Sequence, residues 1–169
     1  MRLIVSDSSC LIDLRKAGLL EAFLQLPFEI LIPNTLFEDE LLKFSAAQKK
    51  ALIDGGLKVV DVPGSGVLRA QEVVHASPRL SIHDGFAFAL AEINSGCILV
   101  TGDGDLRTIA TQHGIEVHGL LWIVDQLHEH GVCERSEIAA ALRILERDAS
   151  VRLPRRELLV WLRRYVEQD

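Results

Sequence analysis

Apolar residues follow two rhythms along this chain. Unbroken runs at Leu3-Ile4-Val5 and Cys97 to Val100 read as strands buried on both faces, and Phe28 to Ile32, apolar but for Glu29, reads as another strand. Leu57 to Val62 alternates as a further strand, and Ile115-Glu116-Val117 reads as a short last one. Between the runs, apolar residues recur at helical spacing. The first predicted helix, capped by Ser8 or Ser9, runs through Leu11, Ile12 and Leu14, and a short one covers Leu19 to Leu26, between Gly18 and Pro27. Asn34 or Thr35 caps a helix holding Leu36, Phe37, Glu40, Leu41 and Phe44. Another covers about 46–53 and ends at Gly55-Gly56. Pro63-Gly64-Ser65-Gly66 predicts a turn, then a helix through Val67, Ala70, Val73 and Val74. Ser81 caps a helix that contains Asp84 and stops at Gly96. Asp105 to His113 is helical, as are Leu121 to Glu129, Ser136 to Arg147 with Ser136 as cap, and Pro154 to Val166.

Strands alternating with helices imply an α/β fold with a mostly parallel sheet of four to five strands, covered on both faces. A length of 169 residues suits one domain with a sizeable core, and a hydrophobic content of 49% keeps it in the globular range. No apolar run approaches the length of a membrane span. Met1-Arg2 passes directly into the first strand, so no signal peptide is expected and the cytoplasm is the default location. Cys10, Cys97 and Cys133 form no C-x-x-C pair, which excludes a disulfide framework or a zinc site; Cys97, inside a strand run, reads as a buried small hydrophobe.

The chemistry lies in where the carboxylates fall. The first strand runs into Asp7, and the Cys97 run passes through Thr101-Gly102 into Asp103, with Asp105 two residues on. Asp84 opens the helix before that strand, and Glu38, Asp39 and Glu40 follow the second strand. Ligand sites in open parallel sheets lie at the strands' carboxyl ends, so these acids can converge there. Like charges resist joint ionisation unless a cation neutralises them, and the cation for an all-oxygen site is Mg²⁺ or Mn²⁺. Taken singly, each acid has a commonplace alternative: Asp7 as a helix cap, Asp84 as a partner of the helix dipole, Asp103 and Asp105 as turn or cap residues. The net charge of −6 does not suggest a nucleic-acid binder. Arginines crowd the C-terminal part, where interleaved glutamates favour solvated helix faces.

Four signals in order, Asp7-Ser8-Ser9-x-Leu-Ile-x-Leu, Pro33 to Glu40-Leu41, Ser81-Ile82-His83-Asp84 and Thr101-Gly102-Asp103-Gly104-Asp105-Leu106, resemble the PIN-domain nucleases. In particular they resemble the VapC-like ribonuclease toxins of prokaryotic toxin–antitoxin pairs. Gly114 to Gly119 is similar to that family's closing strand and turn. The resemblance covers residues 1 to about 125; it implies a PIN-like three-layer α/β/α nuclease domain over 1–125, with 126–169 a C-terminal helical extension packed on the same domain. It implies a Mg²⁺- or Mn²⁺-dependent endoribonuclease whose acids fall on Asp7, Glu40, Asp84 and Asp103. Asp7, Asp84, Asp103 and, as an auxiliary ligand, Asp105 are the expected metal residues, and Ser8, Thr101 and Asp39 are the supporting side chains. RNA as substrate, a cognate antitoxin and a homodimer are the implied partners.

The acid after the second strand stays open at this point. Leu36 directs attention to Asp39, Leu41-Leu42 to Glu40, and Thr35 to Glu38. Glu40 is preferred as the (i, i+4) neighbour of Leu36 on a helix, with Asp39 second. Two other readings stand beside the nuclease. One is a catalytically inactive PIN-like module that acts through protein contacts. The other is a haloacid-dehalogenase-like phosphatase using Asp7 as nucleophile, which normally has an acid two residues on, where this chain has Ser9. No G-x-S-x-G elbow or dinucleotide fingerprint is present.

Overall fold

The computed structural model describes residues 1–167. Five strands, β1 (Arg2–Ser6), β2 (Phe28–Pro33), β3 (Lys58–Val60), β4 (Ile98–Val100) and β5 (Glu116–His118), form one sheet in the order β3-β2-β1-β4-β5. Every pairing is parallel. The central strands are the unbroken apolar runs, and Ile4, Val5, Ile98, Leu99 and Val100 have no solvent exposure. Burial on both faces is what selects continuous apolar sequence over alternation.

Among the described residues ten helices join and cover the strands: α1 (Ser8–Ala17), α2 (Leu20–Leu24), α3 (Asn34–Asp39), α4 (Ala46–Asp54), α5 (Gly64–Ala76), α6 (Ile82–Ile93), α7 (Gly104–Gln112), α8 (Leu120–Glu129), α9 (Arg135–Arg147) and α10 (Arg155–Val166). The result is the three-layer α/β/α architecture. From β1 the chain moves outward through β2 to β3, then returns to β4 on the other side of β1. The order reverses between β1 and β4, and at such a switch point the flanking loops part and leave a crevice. The backbone N–H of Asp7 still donates to the Val100 carbonyl, at 2.9 Å, so the two strand ends are held side by side at the crevice floor.

Several local expectations are corrected. The helix after β2 stops at Asp39, and Glu40 is its C-cap rather than an interior residue. Pro63 to Gly66 is the first turn of α5, not a free turn; the Pro63 carbonyl accepts from both Gly66 and Val67. The cap of α1 is Asp7, whose carboxylate accepts from the Ser9 amide, rather than Ser8 or Ser9. The cap of α9 is Glu134, in a reciprocal capping box with Glu137, so Ser136 lies inside the helix.

The C-terminal helices pack on the same core. Ile138, Leu142 and Leu158 are buried within it. On α10, Trp161 Nε1 and Tyr165 Oη both donate to the Asp125 carboxylate of α8, at 3.1 and 2.7 Å. Residues 168 and 169, the end of the expected extension, lie outside the described residues.

Candidate functional site

Asp7 sits where β1 becomes α1 and is only 5% exposed. A carboxylate that deep needs donors on both oxygens. Thr101 Oγ1 donates to Oδ2 at 2.6 Å, and Ser9 Oγ donates to the same oxygen at 3.0 Å. Ser8 Oγ and the Ser9 amide face Oδ1 at 3.2 and 3.4 Å. Thr101, itself fully buried, also accepts from the Asp103 amide at 3.0 Å, so one hydroxyl connects the acids ending β1 and following β4.

Asp84 and Asp103 are held by their own helix ends, and Glu40 by α1. Asp84 forms a capping box with Ser81, accepting the Ser81 amide at 2.7 Å. Asp103 caps α7 by accepting the Leu106 amide at 2.9 Å through Oδ1. Glu40 accepts from Ser8 Oγ at 2.7 Å through Oε1. Asp7, Glu40, Asp84 and Asp103 thus line one cleft of about 220 Å³, together with Ser8, Ser9 and Gly102. These bonds occupy one oxygen each of Glu40, Asp84 and Asp103, and no hydrogen-bond donor among the described residues meets the other.

Burial raises the pKa of Glu40 above the ordinary range, and the Asp7 and Asp84 charges push the same way against the Ser8 hydrogen bond. Burial likewise raises Asp84, with Asp7 and Asp103 adding to it against the Ser81 hydrogen bonds. The acids therefore act on one another as like charges in a shared site. An all-oxygen set of this kind fits a hard divalent cation better than a soft one. Among the described residues, however, no three acid, histidine or cysteine side chains stand close enough to hold an ion as they are posed. A cation captured here would draw on the unpaired oxygens of Glu40, Asp84 and Asp103.

The three acids after β2 are placed differently. Glu40 reaches the cleft, whereas Asp39 pairs with His83 Nε2 at 3.1 Å and Glu38 with Lys49 at 3.7 Å, both acids being exposed. Asp105 is not brought together with the others. It points from the first turn of α7 toward Arg79, 3.8 Å away, and lies outside the cleft lining.

The sequence reading gave no role to three residues at the cleft, one beside Asp7 and two far along the chain. Ser9 Oγ accepts the Gly102 amide at 3.1 Å while bonding Asp7, tying the two loops at the crevice. Ser150 and Arg152, in the turn between α9 and α10, form one wall of the cleft. Lys16 of α1 anchors that turn through a 2.7 Å bond to Ser150 Oγ, and Arg152 lies 3.9 Å from Asp103 Oδ2. Ser9 stood in a motif and was discoverable; Ser150 and Arg152 carry no local signal.

The fold and the cleft together define an all-parallel α/β protein whose acids gather at the sheet's switch point. The chain belongs to the PIN-domain family, since the family model described as a PIN domain matches residues 3–167. The match continues past residue 125 through α9 and α10. Members of this family are in general nucleases that use divalent metals, so nuclease-type hydrolysis is the class of activity to which the chain is assigned. No curated protein matches the chain. Among the described residues no helix is long and apolar enough to cross a membrane.

Proposed function

We propose that this protein is a Mg²⁺- or Mn²⁺-dependent endoribonuclease that hydrolyses RNA phosphodiester bonds, and that it is the VapC-like toxin of a toxin–antitoxin pair. The observation that carries the nuclease reading is the convergence of Asp7, Glu40, Asp84 and Asp103, from four separate segments, on one cleft. Asp7, Asp84 and Asp103 would hold the metal, with Glu40 directly or through water. When bound, a divalent ion supplies positive charge for the attacking water and the phosphoryl oxygens. Thr101 and Ser9 orient Asp7 through their hydroxyl contacts, and Ser8 orients Glu40. Glu40, whose proton affinity is raised by burial, is suited to receive a proton from the attacking water. Asp105 is left outside the site in this reading. A cytoplasmic location, a homodimer and a cognate antitoxin belong to the same proposal by family likeness.

The test is cleavage of RNA by the purified protein in Mn²⁺, in EDTA, and with Asp7→Asn and Asp103→Asn. Metal-dependent cleavage lost in both variants is the expected result. Cleavage that survives either substitution would sink the assignment of the site. A second reading, a PIN-like module inactive as an enzyme, is favoured by the lack of three acids already within grip of one ion among the described residues. A folded protein that neither cleaves RNA nor binds Mn²⁺ by calorimetry would establish it.

A further inference from the structure

The acidic cleft opens past Gly102 into a second hollow of about 400 Å³, and the two share Asp13, Gly102 and Arg152. Arg107 of α7 lines the far side of this hollow. Its guanidinium lies against bare backbone at Gly119, where a Cβ would come within 2.7 Å of Nη2. Any larger residue at 119 would displace the arginine. Among the described residues Arg107 has no carboxylate within ion-pair distance, and its side chain is exposed. Arg152 is exposed as well, and its nearest acid, Asp103, is 3.9 Å away. Asp13 and Glu157 also line the hollow; Lys16 faces Asp13 at 3.9 Å.

A protein of net charge −6 with four acids in its cleft repels a polyanion unless cationic groups receive the neighbouring phosphates. Arginine is suited to this because its planar fork meets phosphate oxygens in pairs. The hollow has the volume of a small-ligand pocket, room for one strand and not a duplex.

We propose that Arg107 and Arg152 bind the backbone phosphates next to the cleavage position of a single-stranded RNA, which passes from the acidic cleft over Gly102 into the second hollow. The proposal rests on the nuclease reading for what lies in the acidic cleft, but its own readout is binding. Full-length protein in EDTA is titrated against a short labelled single-stranded RNA by fluorescence anisotropy, over a range of salt, beside cleavage assays in Mn²⁺. The double variant Arg107→Ala, Arg152→Ala is expected to bind at least about tenfold more weakly. Its salt slope should fall by roughly 1.4, two contacts at about 0.7 each for a single strand. The double lysine variant is expected to keep the slope. Arg143→Ala with Arg163→Ala makes the same charge change at a separate groove on α9 and α10 and is expected to stay within about twofold. Unchanged binding in the first variant, equal loss in the control, or a wild type that binds no RNA would each overturn the proposal. Mn²⁺-dependent cleavage by the wild type would still uphold the nuclease reading in the first two cases. RNA binding that needs the arginines, with no cleavage under any condition, would keep the phosphate site and sink the nuclease.

Discussion

The Ser8 hydroxyl stands between two carboxylates, 2.7 Å from Glu40 Oε1 and 3.2 Å from Asp7 Oδ1. It has one hydrogen to give, and the shorter contact assigns it to Glu40. That bond is the largest influence opposing the rise in the Glu40 pKa. In Ser8→Ala, Glu40 should hold its proton to higher pH. The acid limb of the kcat/KM profile in Mn²⁺ is expected to move upward in pH, with activity recovering on the alkaline side. A uniform loss at every pH would assign Ser8 to positioning alone.

Crowding of the acids should also appear in stability. Glu40 and Asp84 both have folded pKa values above their ordinary ones, so folding favours their protonated forms. Their contribution is fully present below the unfolded pKa of about 4 and is lost as pH rises through the folded values. Melting curves of Glu40→Gln and Asp84→Asn should lose less stability than wild type between pH 4 and pH 7. Mn²⁺ at a hundred times its Kd should restore about 2.7 kcal/mol at pH 7. The same addition should do little at pH 4, where the site is partly protonated.

Asp103 and Asp105 are two residues apart and face different surroundings, one the cleft and the other Arg79. Asp103→Asn is expected to cost at least about a hundredfold in kcat, within the range for losing a group aimed at developing charge. Asp105→Asn is expected to stay within about threefold, since exposed pairs of that kind contribute less than about 1 kcal/mol. Steady-state cleavage rates of the two variants decide it; equal losses would return Asp105 to the site.

Gly85 follows Asp84 directly and faces α5. A Cβ there would lie 2.9 Å from the Ala70 carbonyl oxygen and 3.0 Å from a Val74 methyl. Backbone offers little room to yield, so Gly85→Ala should force α6 away from α5 at a cost of about 1–3 kcal/mol. Because α6 carries Asp84, activity should fall along with stability. Urea unfolding beside a cleavage assay measures both.

Asp125 accepts from Trp161 and Tyr165, and its charge and hydrogen bond join burial in holding the Tyr165 hydroxyl far above its ordinary pKa. Asp125→Ala leaves two part-buried donors unmet, which should cost about 2–4 kcal/mol. Asp125→Asn, which keeps an acceptor, should cost less. The difference in urea midpoint between the two variants tests whether this clasp holds α10.

The stretches Leu3-Ile4-Val5 and Ile98-Leu99-Val100 were legible because residues buried on both faces leave no polar position in the run. The places of Asp7 and Asp103 were legible because each follows an apolar strand run, and that of Asp84 because its capping box with Ser81 is written in local sequence. Pro63 to Gly66 misled because a turn and a first helical turn begin with the same i to i+3 bond, here Gly66 to Pro63. Glu40 was reachable by counting from Leu36, although the helix ends one residue earlier. Ser150 and Arg152 were not legible, since only the packing of α9 against α1 decides that their turn covers the cleft.

That turn gives the molecule an order of assembly. A chain emerging from the ribosome as far as α8 already carries all four carboxylates, yet lacks the Ser150–Arg152 wall and the contact with Lys16. The four carboxylates and Arg107 are made first and the Ser150–Arg152 wall last, so a growing polypeptide would carry the acids of the cleft before the second of the two arginines proposed to hold phosphate.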